Sequence, residues 1–380
     1  MQNVRILPPT PTRRHEALRA EVRAFLAETL GDFPAVRRAQ NWNGFDRPFG
    51  RALAARGWVG MTWPEQYGGH EKSAFERYVV WEELLAAGAP IVSVLPIDRQ
   101  SGPLLLQYGS EDVKRRLLPA MARGELVFCV GMSEPNSGSD LASVVSTAKR
   151  TEAGWRLDGR KIWTSFAHKA DYMVGLFRSR PRGERKHEGL SQFLIDLRSP
   201  GVTIRPIRNL QGQEHFNECT FDDVRLPPEA LIGQEGDGWQ QVTRELSFER
   251  SGPERFLSSH QLLVEMIGAA SEHDSRHRVA LGTLVAEMAA LREMSLGVAG
   301  MLSRGEAPAI AAAMVKDRGT AFEQRIPQAA HDLFGAELGT ARSTFDEVAA
   351  YTTQAAPQFS LRGGTREILR GVIARGLGLP

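Results

Sequence analysis

The feature that most limits the fold of this chain is a change of hydrophobic period that happens twice. Residues 12 to about 125 carry apolar side chains at helical spacing. In HEALRAEVRAFLAETLG, Leu18, Val22, Leu26 and Leu30 recur every four residues and share one face, and Gly31 suits a C-terminal cap. WEELLAAG and SEDVKRRLLPAMARGE read the same way, the second with Ser110 as N-cap. Ahead of both, GWVGMTWPEQYGG, residues 57–69, is broken by Gly and Pro and reads as a loop. From 126 to about 235 the pattern shortens to LVFCVGM, STAKRT, WRLDG, YMVGLFRS, SQFLIDL, VTIRPI and CTFDDVRL. These runs are rich in β-branched and aromatic residues and separated by turn residues, which predicts a small antiparallel β-domain. From 236 the helical period returns. LVAEMAALREM sets Leu284, Met288 and Leu291 on one face, and the alanines of PAIAAAMVKDRGTAFEQRI favour close helix packing. The expectation is an α+β chain: a helical domain over 1–125, a β-domain over 126–235 and a helical bundle over 236–380.

Charge and cysteine usage exclude several classes. A net charge of +2 with scattered Lys and Arg gives no basic stripe for nucleic acid. Cys129 and Cys219 lie inside apolar runs and read as buried thiols, with neither a disulfide framework nor metal spacing. No apolar run is long enough to span a bilayer, and MQNVRILPPTPTRRH lacks the apolar core of a secretory signal, so the expected location is the cytoplasm.

Four segments carry candidate chemistry. MSEPNSGSD, residues 132–140, follows a strand; its small residues let backbone N–H groups face a ligand, or simply make a well-bonded turn. It is neither a Walker loop nor a Rossmann fingerprint. In GRKIWTSFAHKADYMVG, residues 159–175, Trp163 beside Thr164 and Ser165 offers a stacking plane with hydroxyl donors, or an ordinary core tryptophan. His168 reads as a base or a solvated turn residue. In LSFERSG, residues 246–252, Glu249 precedes Arg250, either as a solvated pair or as a catalytic carboxylate. In LRGGTREILR, residues 361–370, two glycines and Thr365 open a helix whose free N–H groups can hold an anion, or are merely capped.

Taken in order, these segments resemble the acyl-CoA dehydrogenase family over nearly the whole chain. GWVGMTWPEQYGG is similar to its N-terminal loop, PLLLQYGSEDVKRRLLPAMARGE and MSEPNSGSD to the helix leading into its flavin loop, and GRKIWTS to its second flavin segment. FNECTFDDVRLP with GDGW resembles its exit from the β-domain, and GGTREI with RGLGLP its closing helix. The resemblance implies an N-terminal helical domain, a middle β-domain and a C-terminal four-helix bundle, with FAD between the last two. It implies that Met132 and Ser133 bond the pyrimidine side of the flavin, and that Trp163 packs on it while Ser165 bonds near N5. Gly138 and Ser139 would lie beside flavin and the CoA pantetheine, with Ser139 and Arg250 on the substrate and Thr365 on the pyrophosphate. The implied reaction is α,β-dehydrogenation of an acyl-CoA thioester. A carboxylate takes the α-proton, hydride leaves the β-carbon, and the electrons pass on to an electron-transfer flavoprotein.

The departures from the family pattern matter. Many members carry Glu immediately before the Gly-Thr of the closing turn; here Gly363 stands there. A subset places the base before an Arg on the first bundle helix, which matches Glu249 in FER. The Arg-x-x-Phe-Gly segment that reaches a neighbour's FAD is missing from AASEHDSRHRVALG, and in HDLFGAELG the second glycine of a pair is Ala336. The chain is therefore expected to hold its own flavin ring but lack contacts for a neighbour's FAD tail. That fits a hetero-oligomer with a second family member, as in bacterial members acting on bulky steroid or terpenoid esters; a homo-oligomer is the alternative. A non-catalytic partner subunit and a flavin monooxygenase or oxidase on the same fold are the other functions weighed. The short side chains of AGAP at 87–90 and Gly363 lean toward a bulky or branched acyl group.

Overall fold

The structure is a computed structural model that describes residues 6–336 and 342–379, without the side chains of 246–249. Helices α1 (Arg13–Leu30), α2 (Ala35–Gln40), α3 (Arg47–Ala55), α4 (Ala74–Ala86), α5 (Gly102–Tyr108) and α6 (Glu111–Ala122) come first. Strands β1 (Phe128–Gly131), β2 (Thr147–Thr151), β3 (Gly154–Ser165), β4 (Tyr172–Arg178), β5 (Leu190–Asp196), β6 (Val202–Ile207), β7 (Phe216–Leu226) and β8 (Leu231–Ile232) follow. Helices α7 (Gly238–Glu249), α8 (His260–Ala269), α9 (Ser275–Ser303), α10 (Ala309–Phe334), α11 (Thr344–Phe359) and α12 (Arg366–Gly376) close the chain. The helix, sheet, helix order is the expected one. These elements form two compact units, one of Met1–Phe45, Lys72–Ile91 and Ser247–Pro380, the other of Asp46–Glu71 and Val92–Leu246.

In the first unit, α1 buries Val22, Phe25, Leu26 and Leu30, as the four-residue spacing requires. Gly31 does cap α1, but in the right-handed conformation at φ −47°, so glycine is not needed there for a left-handed turn. Ser73 and Glu76 make a reciprocal capping box at the start of α4. Glu82 of that helix accepts from Arg19 at 2.9 Å and Arg292 at 2.6 Å, tying α1, α4 and α9 together. On α9 Leu284 and Leu291 are buried and Met288 half-buried. Ala311 and Ala312 of α10 pack with Val298 of α9 and Val315; the alanines leave room for the two backbones to approach. At Gly88 the AGAP segment has no spare room. A side chain there would strike the Arg38 carbonyl at 2.4 Å, and one at Gly44 would meet Pro90 at 2.9 Å. Glycine at 88 serves the chain's own packing.

The second unit is built on an eight-stranded sheet, ordered β6-β7-β3-β2-β4-β5-β8 with β1 parallel to β4. Trp155, Leu157, Phe177, Phe193 and Phe221 cluster with both cysteines. Burial supplies about 1.5–3 kcal/mol for each such side chain, and truncating Phe221 to Ala would cost about 3–5 kcal/mol. Burial, with Cys219 nearby, raises the Cys129 thiol, and burial pushes Cys219 up to about 12. Both are free thiols. Ser110 caps α6 by accepting from the Val113 amide at 3.3 Å. Gly159, at φ 146°, has no room for a β-carbon, which would sit 2.2 Å from Ser146 Oγ. This lets Ser146 Oγ accept from the Arg160 amide at 3.1 Å and opens the first irregularity of β3.

Candidate active site

The β3 strand explains how the first two candidate segments meet. Its inward phase runs Trp155, Leu157, Gly159, Lys161, so the period of two drives an ammonium group into the core. Lys161 is fully buried, and it donates to Glu134 Oε1 at 2.7 Å and to the Met132 carbonyl at 3.3 Å. Glu134 is itself buried and also accepts from the Val145 amide at 2.7 Å and the Ser146 amide at 3.0 Å. Burial pulls the Lys161 ammonium down to about 8, against the pull of Glu134. Burial would raise the Glu134 carboxyl, but Lys161 and the two amide donors hold it below its ordinary value. The Ile162 amide donates to the Ser133 carbonyl at 2.9 Å. Residues 132–134 are thus stitched to 161–162 by one buried ion pair and two hydrogen bonds to backbone carbonyls.

Beyond Lys161 the register of β3 against β7 slips, and Trp163 occupies the slip. Its φ of 61° is left-handed, a conformation that costs a non-glycine residue roughly 1–2 kcal/mol. The slip turns its ring outward: Trp163 is 56% exposed, and among the described residues Phe216 meets it edge-on at 5.9 Å. The core-tryptophan alternative is therefore overturned. Thr164 is the residue that goes inward, buried beside Cys219, so of the two neighbouring hydroxyls only that of Ser165 stays near the surface. His168 is exposed but bonded, its Nδ1 2.8 Å from Asn217 Oδ1. Glu134 and Ser137 exchange backbone hydrogen bonds, which rounds the 132–140 loop into a turn. A β-carbon on Gly138 would meet nothing within 4 Å, so glycine there answers no packing demand of the chain itself. Among the described residues, none bonds the hydroxyls of Ser133, Ser139 or Ser165. An outward aromatic plane, uncommitted hydroxyls and an open glycine flank fit a flat heterocycle with polar edges.

The other two segments also come together, within the first unit. Arg250 is buried and donates through Nε to the Gly363 carbonyl at 3.2 Å. Gly363 and Gly364 have φ of 65° and 95°, so the turn uses two left-handed residues in succession. Thr365 then caps α12, its hydroxyl accepting from the Ile368 amide at 3.4 Å. Arg362 is anchored beneath: it reaches Glu323 at 2.7 Å, Ser258 Oγ at 2.8 Å and the Glu254 carbonyl at 2.9 Å, with its guanidinium over Trp42 at 4.4 Å. Burial lowers the Arg362 guanidinium to about 10 despite Glu323. α7 ends at Glu249, whose side chain lies outside the described residues. Gly335 caps α10 at φ 67°; the HDLFGAELG residues from 337 onward lie outside the description.

Lys161, Glu134 and Arg362 are absent from the sequence-level candidates. A signal existed for the first two: a lysine on the core phase of a strand needs a buried counter-charge, and Glu134 stood in the adjacent segment. Arg362 gave no comparable signal. Among the described residues no group of His, Cys, Asp and Glu could hold a metal, and no helix is long and apolar enough to cross a membrane.

Models of the acyl-CoA dehydrogenase N-terminal, middle and C-terminal domains match residues 12–125, 129–224 and 236–378. Acyl-CoA dehydrogenase IpdE1 of Mycolicibacterium smegmatis is 34% identical, covering 96% of this chain and 98% of that protein. Acyl-CoA dehydrogenase FadE29 of Mycobacterium tuberculosis is 31% identical over 98% of each. Among solved structures, the Tcur3481-Tcur3483 steroid ACAD superposes with a TM-score of 0.86 at 26% identity, covering 98% of this chain and 99% of that one. The ChsE4-ChsE5 complex of Mycobacterium tuberculosis follows at 0.83 and 26%, with the same coverage. The chain belongs to the acyl-CoA dehydrogenase family. It is an oxidoreductase of the kind that dehydrogenates acyl-CoA thioesters between the α- and β-carbons, and the fold implies a flavin cofactor.

Proposed function

We propose that the chain converts a bulky, polycyclic or branched acyl-CoA to the 2-enoyl-CoA with FAD, and that Glu249 is the base. The observation that carries the base assignment is the Arg250 to Gly363 hydrogen bond of 3.2 Å. It holds the end of α7 against the turn where many relatives place their carboxylate. A base moved from residue 363 to residue 249 therefore stays in the same neighbourhood.

FAD, when bound, supplies the hydride acceptor. The chain's part is to hold it through Met132, Ser133, Gly138, Trp163, Ser165 and Thr365, to receive the thioester beside Ser139 and Arg250, and to take the α-proton on Glu249. Stabilising the negative charge that develops on the thioester oxygen requires fixed donors aimed at it. The bulky-substrate reading rests on the similarity to the Tcur3481-Tcur3483 steroid ACAD, since the AGAP segment no longer supports it. Likeness to that assembly and to the ChsE4-ChsE5 complex supports a hetero-oligomer in which a second family member completes the FAD site. Electron-transfer flavoprotein is the expected acceptor, and the cytoplasm the expected location.

The test is Glu249→Gln in FAD-loaded protein. Flavin content is expected to stay constant while bleaching of the flavin by substrate slows by orders of magnitude. Bleaching at the parent rate assigns the base elsewhere. FAD content tests the assembly: little FAD in the chain alone, restored by a partner chain, supports the hetero-oligomer, and about one per chain alone rejects it.

A further inference from the structure

One cation at the closing turn is only half used. All the hydrogen bonds of Arg362 run through a single nitrogen: Nη2 donates to the Glu323 carboxylate at 2.7 Å, to Ser258 Oγ at 2.8 Å and to the Glu254 carbonyl at 2.9 Å. A guanidinium carries five N–H hydrogens, and Nη2 has only two of them. The other three are on Nε and Nη1. Both atoms are buried, and neither finds an acceptor among the described residues. The guanidinium carbon lies over the Trp42 ring at 4.4 Å and the Phe359 ring at 5.1 Å. Ring faces attract the charge, but they do not replace oxygen acceptors. Glu323 is not free to turn toward the open donors, because it also accepts from the Ser258 amide at 2.8 Å. Buried donors on an ion are costly to leave unmet, so the arrangement calls for an acceptor from outside the chain.

The surrounding charge says what kind of acceptor fits. Glu323 is fully buried and pairs with Arg362; Glu254, also buried, lies 3.9 Å from the buried Arg255. Two guanidinium groups thus already face two carboxylates. A further anion would leave this core with net negative charge, which burial penalises. A neutral oxygen takes the open hydrogens without that penalty. Its place is also marked. The residue after Arg362 is Gly363, whose carbonyl accepts from Arg250 at the end of α7, where the base is proposed. The open donors therefore belong to the reacting end of the substrate and not to its nucleotide end.

We propose that Arg362 is a specificity-determining residue that donates through Nε and Nη1 to a neutral oxygen, a ketone or a hydroxyl, carried on the acyl group away from the thioester. The substrate class is then an oxygenated acyl-CoA. The proposal rests on the acyl-CoA reading and on residue 249 marking the reacting end. A site built to bond a substrate oxygen discriminates strongly against the analogue that lacks it, because its buried donors are then left unpaired.

The test uses FAD-loaded protein and four thioesters: cyclohexylpropanoyl-CoA and its ring-oxo, ring-hydroxy and ring-carboxy analogues. Bleaching gives kcat/KM, and titration of the oxidised flavin spectrum with the 2-enoyl products gives affinity without turnover. The parent is expected to favour the oxo or the hydroxy thioester over the unsubstituted one by on the order of ten- to a hundredfold in both readouts, and the better of the two names the group. Arg362→Lys keeps a cation for Glu323 but loses the planar set of donors, so its ratio is expected to fall to about one while its FAD content holds. If that variant does not fold, the parent's own ratio and product affinities decide. A parent without the preference overturns the proposal, as does an unchanged ratio in Arg362→Lys. Preference for the carboxy thioester also overturns it, in favour of an anion site. Each of these results leaves the acyl-CoA reading standing. If none of the four thioesters bleaches the flavin and none of the products binds, the acyl-CoA reading falls together with the proposal.

Discussion

Lys161 Nζ lies 2.7 Å from Glu134 Oε1, both groups are buried, and between them they join the two middle-domain segments of the candidate site. Removing one partner strands the other in the core, which costs about 3–5 kcal/mol. Lys161→Met is expected to destabilise the protein by that amount and to release FAD. Glu134→Gln should be milder, and pH-dependent in a definite direction. Without Glu134 the Lys161 folded pKa drops below its present value of about 8, while the unfolded value stays at the ordinary lysine value. Where the unfolded chain binds the extra proton, stability rises with pH. The deficit of Glu134→Gln relative to the parent is therefore largest near pH 6 and shrinks toward pH 8. Urea melts at both pH values measure it; a deficit that grows with pH removes Lys161 as the coupled group.

Trp163 holds a left-handed backbone that glycine adopts freely. Strain kept at a ligand-facing position should be relieved when the side chain is given up. Trp163→Gly is expected to match or exceed the parent in melting temperature when both lack flavin, and to lose flavin affinity by at least tenfold. Trp163→Ala should lose affinity without gaining stability. A flavin affinity unchanged in both variants would show that the exposed ring is not a stacking surface for the cofactor.

The turn at 363–365 asks for glycine for a reason separate from catalysis. With φ of 65° at Gly363 and 95° at Gly364, a β-branched or acidic side chain at 363 costs roughly 1–2 kcal/mol before any chemistry is considered. Restoring a carboxylate by Gly363→Glu in a Glu249→Gln background is thus expected to lower the melting temperature, and to recover only a small part of the lost bleaching rate. Full recovery at parent stability would contradict the strained turn. Arg250→Gln removes the donor to the Gly363 carbonyl and should slow bleaching without changing which residue is the base.

The order of elements was legible because it rests on period. Four-residue spacing in α1 and alternation in β3 are set by backbone geometry, whatever the rest of the chain does. The caps at Ser110 and Thr365 were legible for the same local reason. The site was less so. That Trp163 faces out and Thr164 in depends on a slip in the β3–β7 register, which strict alternation would not allow. The partnership of Arg250 with Gly363 spans more than a hundred residues and leaves no local trace. Lys161 was the exception, since its strand phase placed a charge in the core, yet its partner emerged only with the fold. The AGAP segment misled because small residues that line a cavity and a small residue packed against Arg38 look alike in a sequence.

His260, the first residue of α8, is shifted the other way from a histidine held by a carboxylate. Burial lowers its pKa below the ordinary value, only partly offset by the Ala86 backbone and Glu83. A neutral imidazole in the folded chain and a protonated one in the unfolded chain give ν of the unfolded state the larger value. Its contribution is therefore fully present above the unfolded pKa near 6.5 and is lost as pH falls from there toward the folded value. The unfolding free energy of the parent should decline between pH 7 and pH 5, and His260→Gln should flatten that decline by the share His260 carries. Equal slopes in parent and variant would place the acid sensitivity on groups other than His260; Glu134 is not one of them, because its depressed pKa withdraws its stabilisation only below the ordinary glutamate value.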